Sequence, residues 1–283
     1  MSALTPASPF WMNREAMNRN YYLCAGLLLT GVLAAVTLVG FFWTPYDSAA
    51  MSADKFLPPC AAHIFGTDNF GRDIFSRVME GAGTSFMIAL STIVIGASGG
   101  IVLGAVTGYF GGLADEILIR VGDALTAFPS ILLALVVISL LGPGKPVNLV
   151  ISLGLVFIPG FARVTRAAYA EAREINYVKS VRLMGASHAR IMLVHILPNT
   201  APVLLSALTI GFNNAVLAEA SMSYLGIGVT PPDASLGYML SEAQSVFGRA
   251  PWYALSTGGV MILFLFGVGL IGEGLCAREG ETL

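Results

Sequence analysis

The sequence contains very little charge. Asp, Glu, Lys and Arg make up 11% of its 283 residues, and hydrophobic residues make up 55%, whereas about 25% of the residues in an ordinary soluble domain are charged. So few charged side chains cannot cover a surface that faces water. The composition therefore excludes a soluble globular protein and predicts an all-α integral membrane protein.

Cysteine and histidine are also scarce. The three cysteines lie far apart and, in the topology predicted below, in different compartments: Cys24, Cys60 and Cys276. This spacing gives neither a disulfide framework nor a zinc site. The three histidines do not form a set of metal ligands either: His63, His188 and His195. We predict no metal site in this chain.

No catalytic motif appears in the sequence. It contains no G-x-S-x-G nucleophile elbow, no H-E-x-x-H pair and no P-loop. Residues 142–145 (G-P-G-K) look like part of a phosphate loop, but Pro146 follows where Ser or Thr should begin a helix. We therefore predict that the chain is not an enzyme, has no catalytic residue, holds no cofactor and has no nucleic-acid partner.

The sequence contains long windows without any charged residue. A helix needs about 20 apolar residues to cross a hydrocarbon core, and six windows reach or approach that length: residues 20–46, 81–114, 124–144, 146–162, 191–218 and 250–272. The fourth must extend past Arg163, whose side chain can reach the interface. The first exceeds the about 7 to 15 apolar residues of a signal peptide, and bulky residues follow it, so we expect an uncleaved anchor.

The basic residues predict the orientation. Ten of the fifteen Lys and Arg residues fall on one side if the N-terminus is cytoplasmic, which is the side that short basic loops favour. Both termini are then cytoplasmic. The predicted parts are a cytoplasmic segment 1–20, a first transmembrane helix with external loop 21–80, a five-helix core 81–277 with a cytoplasmic loop 169–199, and a tail 278–283.

The cytoplasmic loop is the one long polar stretch of the chain. Ile175, Val178, Val181 and Met184 recur every third residue, which predicts a short amphipathic helix. Gly185 is expected to end that helix. A second helical run is predicted from Ser187 until Pro198 stops it. The loop is therefore predicted to consist of two short helices joined by a glycine elbow.

Charged residues open the third span. Glu116 and Arg120 are four residues apart, and Arg120 and Asp123 are three apart, spacings that predict intrahelical ion pairs. Pro129 is predicted to kink this helix. Residues 108–112 (G-Y-F-G-G), which precede it, are expected to form a plain tight turn.

Polar residues in the fifth span are candidates for a pathway through the membrane, because lipid makes them costly. Asn213 and Asn214 either line a polar path or hydrogen-bond a neighbouring helix. Glu219 is either a structural buried acid or a substrate contact. Phe128 is a candidate gate residue.

The predicted external loops contain turn signals and helix caps. Asp68 and Asp73 can each cap a following helix, and Arg72 lies between them. Pro231 and Pro232 are predicted to stiffen a second external loop.

Four motifs occur together in this order: F-G-T-D-x-x-G-R-D (65–73), G-Y-F-G-G-x-x-D (108–115), G-A-S with H-I-L-P-N (185–187 and 195–199), and L-G-I-G-V-x-P-P (225–232). In this order the chain resembles the inner-membrane permease subunits of bacterial peptide and nickel ABC importers, specifically the second, C-type permease of the pair. The resemblance implies the type I ABC importer permease fold with six transmembrane helices, in a multi-pass protein of the bacterial inner membrane.

The resemblance also implies a role for the cytoplasmic loop, which in that family docks on an ATP-hydrolysing subunit. Gly185, Leu197 and Pro198 match the family pattern, while its E-A-A triplet falls on Lys179, Ser180 and Val181, without the acidic first residue. Tyr177, Arg182 and Ala186 complete the implied contact. The family shows P-x-W-G after its paired prolines, and this chain has Ala234-Ser-Leu-Gly237 instead.

The implied partners are a second permease in a heterodimer, two ATPases that bind ATP and Mg²⁺, an external substrate-binding protein and membrane lipid. Di- or oligopeptides, nickel and metal chelates are the implied substrates. A secondary transporter driven by an ion gradient is the alternative, although the broken helices and inverted repeats typical of that class are not evident. A membrane hydrolase would need a nucleophile and a base that are not recognisable here.

Overall fold

The chain is described by a computed structural model that covers residues 10–279, with side chains for residues 21–275. The predicted terminal segments 1–20 and 278–283 lie partly outside these described residues. Within residues 10–279 the chain forms helices and loops but no β-strand. The helices are α1 (Phe10–Gly40), α2 (Ile74–Phe110), α3 (Gly112–Thr126), α4 (Ser130–Leu141), α5 (Pro146–Ala172), α6 (Asn176–Leu183), α7 (His188–Arg190), a π-helical turn (Ile191–Ile196), α8 (Leu197–Tyr224), α9 (Leu236–Ser245) and α10 (Pro251–Glu279).

Among the described residues, five helices are long and apolar enough to cross a membrane: Tyr21–Gly40, Ile74–Phe110, Pro146–Ala172, His188–Tyr224 and Pro251–Leu275. The pair α3 and α4 makes a sixth span if it is counted as one, although the two helices are bent by 92°. Pro129 is the reason, because it has an extended backbone (φ −55°, ψ 126°) and lacks the N–H that would continue the helix. The all-α membrane fold is confirmed, and the predicted kink is a complete break.

Two span boundaries differ from the prediction. Helix α2 begins at Ile74 rather than Gly81 because the Asp73 carboxylate caps it, accepting a hydrogen bond from the Ser76 N–H at 2.8 Å.

Pro198 does not stop the helix that contains it, so the predicted stop is wrong. It lies in the first turn of α8, directly after the π-helical turn. A proline without an N–H is tolerated there, and residues 188–224 form one continuous span.

Helices α2 and α5 pack closely along a row of glycines on α2. A Cβ at Gly96 would lie 2.8 Å from Cβ of Phe157, and one at Gly104 would overlap the carbonyl oxygen of Ala162. Small residues every fourth position let two helices in lipid bring their backbones together. This row fixes the position of α5, which supplies two arginines to the site described below.

The bundle has two ends. One end contains residues 173–196, here named the elbow segment, with the C-termini of α2 and α5. The opposite end contains residues 41–73, α9 and the N-terminus of α10. The side of the membrane that each end faces stays the prediction drawn from the basic residues.

Candidate functional site

The first helix of the elbow segment, α6, is amphipathic as predicted. Val178 is fully buried in a cluster at this end of the bundle, named here the elbow cluster: Ala105, Tyr109, Tyr169, Ala172, Val178, Ile191 and Ile196. Val181 and Ala186 are partly buried against it. Leu183 and Met184 point away, with exposed fractions of 89% and 77%. The predicted apolar row therefore divides into a buried part and an exposed tip.

The elbow itself is a left-handed glycine. Gly185 has φ +81°, and its N–H donates to the carbonyl of Arg182 at 3.0 Å, while the Ala186 N–H donates to that of Val181 at 3.3 Å. Ser187 then caps the next helix by accepting from the Arg190 N–H. Gly185 ends the first helical run as predicted, since α6 stops at Leu183.

Other residues of the elbow segment that were predicted to contact the ATPase form hydrogen bonds or ion pairs mostly within the segment. The Tyr177 hydroxyl donates to the carbonyl of His195 at 2.8 Å, which ties α6 to the π-helical turn. Ser180 donates to the carbonyl of Asn176. Lys179 lies 3.1 Å from a carboxylate oxygen of Glu174, and its hydrogen bond and charge, with those of Arg173, lower the pKa of Glu174. Lys179 is thus paired with an acid of its own chain.

The two asparagines of α8 point to different places. The Asn213 amide donates to the carbonyl of Leu265 on α10 at 3.2 Å, so Asn213 makes the helix-to-helix hydrogen bond that was one of its two predicted roles. Asn214 is exposed and lines a cavity of about 490 Å³ between α5, α8 and the break in the third span. Hydroxyl groups of this cavity come from Thr126, Ser130 and Ser221.

Phe128 and Glu219 lie in different surroundings. Phe128 is 63% exposed in the break between α3 and α4. Glu219 is fully buried and accepts a hydrogen bond from the Ser223 hydroxyl at 2.7 Å, and the Ser85 and Ser235 hydroxyls lie beside its carboxylate. This placement favours the structural role for Glu219.

A buried charge network fills the opposite end. Asp68 accepts from Nε of Arg72 at 2.6 Å, and Arg72 donates to Glu242 on α9 at 2.9 Å. Arg77 donates to the same carboxylate at 3.2 Å. Burial opposes protonation of Arg72, but the hydrogen bond and charge of Glu242, with Asp68, outweigh it and raise the pKa of Arg72. These charges are tolerated because each has a partner.

Only part of this network was accessible to sequence reasoning. Asp73 caps α2 as predicted, whereas Asp68 caps no helix and instead holds Arg72. The partners Arg77 and Glu242 were missed, because 165 residues separate them and no local pattern connects them. Pro231 and Pro232 lie exposed in the loop before α9, joined by a cis peptide bond.

The charges of the third span connect two helices. Glu116 and Arg120 form the predicted pair at 2.6 Å. Arg120 does not pair with Asp123, which instead binds Arg163 on α5 at 2.9 Å. The pairing between helices was not visible in the local spacing.

Comparison with known proteins gives consistent results. A family model described as a binding-protein-dependent transport system inner membrane component matches residues 100–275. The chain is 41% identical over 262 residues to a putative peptide transport system permease protein of Brucella abortus biovar 1, covering 93% of this chain and 88% of that protein. It is 34% identical to the dipeptide transport system permease protein DppC of Haemophilus influenzae (96% and 93% covered).

Two further likenesses agree with these. The glutathione transport system permease protein GsiD of Pectobacterium atrosepticum is 34% identical, with 97% of this chain and 90% of that protein covered. Among solved structures, an inward-facing form of the MetNI methionine ABC transporter contains a chain with a similar fold, at a TM-score of 0.54 and 19% identity. That likeness covers 72% of this chain and 92% of the other.

Proposed function

Because the chain belongs to the family of binding-protein-dependent transport system inner membrane components, as its motifs predicted, we propose that it forms half of the translocation pathway of an ATP-driven peptide importer. A second permease supplies the other half. Two separate ATPase subunits, which bind ATP and Mg²⁺, drive transport through the elbow segment, and an external binding protein delivers the substrate.

The exposed tip of the elbow segment is the observation that carries the proposal. Leu183 and Met184 are two neighbouring large apolar side chains at the end of α6, and both are more than three-quarters exposed. Neighbouring apolar side chains left in water mark a surface that another protein covers. The basic Arg182 adjoins them, so the groove that receives the tip is expected to be apolar with an acidic rim.

The elbow segment is also mechanically connected to the bundle. The helix that begins at His188 continues without a gap to Tyr224 at the opposite end. The Tyr177 hydroxyl on α6 bonds to the His195 carbonyl within this span, so a displacement of α6 is expected to move α8, and with it Asn214. This arrangement supports a lever that converts closure of the ATPases into a change of the pathway.

The cavity around Asn214 supports a peptide as substrate. Its polar side chains are one neutral amide, from Asn214, and three hydroxyls, from Thr126, Ser130 and Ser221, on an apolar wall. Such groups hydrogen-bond peptide links without selecting for a charged side chain. The relatives named for dipeptides and glutathione point the same way, and nickel, if carried, is expected as a chelate.

Transport in reconstituted membranes tests the proposal. The tagged chain, expressed in its native cells, is expected to copurify with a second permease and an ATPase. In proteoliposomes, uptake of a radiolabelled dipeptide should require ATP together with the binding protein, and an ionophore should not affect it. Uptake that persists without ATP and collapses with the ionophore would instead identify a secondary transporter.

A further inference from the structure

One side chain touches the elbow segment on both sides of its glycine. Tyr109, in the last turn of α2, is only 3% exposed. Its hydroxyl and Nδ1 of His188 share a hydrogen bond of 2.8 Å, and the guanidinium carbon of Arg182 lies 5.3 Å from the centre of its ring. Arg182 precedes Gly185 and His188 follows it, so Tyr109 is in contact with both arms of the elbow.

Two arginines at the C-terminal end of α5 hold the end of α2 and the start of α3. Arg173 donates from Nη1 to the carbonyls of Gly108 and Tyr109 at 3.2 and 3.4 Å. Arg166 forms two parallel hydrogen bonds of 2.7 Å each to the carboxylate of Asp115, in the first turn of α3. Bidentate pairs of this kind fix orientation as well as distance. The start of α3 is therefore tied to α5, and it follows the end of α2 directly through Gly111.

A plain turn would not need these contacts. Gly111 and Gly112, with φ +68° and +70°, are sufficient to reverse the chain. The tyrosine hydroxyl, the histidine and the two arginines add connections to the elbow and to α5 that chain reversal does not require. Helix α3 begins at this turn and ends at Thr126, and Ser130 follows the break; both residues line the cavity.

We propose that Tyr109 is a positioning residue that transmits movement of the elbow segment to α3, through its hydrogen bond to His188. This inference rests on the proposed function. It adds a second route to the one through α8, so that the two walls of the Asn214 cavity, on α8 and at the α3–α4 break, move together when the ATPases close.

The ratio of ATP hydrolysed to dipeptide transported tests this route, since a residue that only stabilises the fold would lower both rates equally. The complete complex is reconstituted with its binding protein and a radiolabelled dipeptide that this protein binds. Tyr109→Phe keeps the ring and removes the hydroxyl. Loss of the hydrogen bond that connects the elbow segment to Tyr109 is expected to raise the ratio about fivefold.

Tyr46→Phe is the matched control. The Tyr46 hydroxyl also donates one hydrogen bond, to the carbonyl of Ala62 at 2.9 Å, but it lies at the opposite end of the bundle. Its removal should leave the ratio unchanged. An equal rise in both variants would overturn the proposal.

His188 provides an independent pair of variants should Tyr109→Phe assemble poorly. His188→Ala removes the partner of the hydroxyl and should raise the ratio to a similar extent. His188→Asn places a polar atom near the position of Nδ1 and should restore most of the coupling. A wild-type ratio in His188→Ala, or no rescue by His188→Asn, contradicts the role assigned to the hydrogen bond.

A Gly185→Val variant separates this inference from the proposed function. If Gly185→Val blocks uptake while Tyr109→Phe keeps the wild-type ratio, the elbow segment couples transport but the route through Tyr109 is wrong. If Gly185→Val also transports normally, the proposed role of the elbow segment in coupling is itself wrong.

Discussion

At position 185 the backbone conformation requires glycine, and the surrounding space does not. A Cβ on Gly185 would have nothing within 4 Å, but its φ of +81° is a conformation that costs other residues about 1–2 kcal/mol and β-branched residues more. Gly185→Val should force another backbone angle and misdirect α6. We expect uptake of a radiolabelled peptide by cells to be lost while the amount of the chain in membrane fractions is unchanged.

Gly185→Asn is the matched comparison, because asparagine adopts the left-handed conformation more readily than valine. It should retain more uptake than Gly185→Val at an equal membrane level. Normal uptake by Gly185→Val, measured beside the asparagine variant, would remove the elbow from the coupling mechanism.

At the scale of elements, the row of glycines determines how α2 meets α5. Gly104→Ala would press a methyl group against the carbonyl of Ala162, and overpacking of this kind costs about 1–3 kcal/mol. Gly31→Ala on α1 adds the same methyl group where nothing lies within 4 Å. Thermal unfolding in detergent should show a lower midpoint for Gly104→Ala only. Matching midpoints would mean that the two helices do not approach so closely.

The charge network joins the segment before α2 to α9. Glu242→Ala would leave Arg72 and Arg77 buried without this carboxylate, a change that costs about 3–5 kcal/mol when a buried pair is broken. Glu116→Ala breaks an exposed pair of the same type, which contributes little. The unfolding midpoint should fall clearly for Glu242→Ala and hardly for Glu116→Ala, and similar shifts for both would refute the buried network.

The membrane spans could be predicted from the sequence, whereas the contacts between residues far apart in the chain could not. Charge-free windows located the spans because burying an unpaired charge in lipid is costly, and the elbow was visible as a glycine between two apolar rows. The start of α2 was missed because Arg77 and Glu80 place two charges before the charge-free window from which this span was predicted. Arg77 is tolerated through Glu242, 165 residues away, and Glu80 through the Ser48 hydroxyl. Pairing over such distances leaves no periodic pattern in the sequence.

On the scale of the whole molecule, the chain has the fold of an inner-membrane permease and is incomplete by itself. Helix α3, all of whose residues are described, has none that is buried, although Leu113, Ile117 and Val121 are apolar and more than half exposed. Its three ion pairs involve only the polar face. The apolar face is the one that the proposed second permease would cover.

The unburied face of α3 should make the half-life of the chain in the cell depend on the second permease. A subunit synthesised without its partner has no packing contacts on this apolar face of the bent helix, and weakly packed segments open locally and are degraded by cellular proteases. The chain's abundance should therefore be set by how much partner is made, and pulse-chase labelling should show its half-life lengthening when the second permease is co-expressed. An equal half-life with and without the partner would mean that lipid alone satisfies this surface.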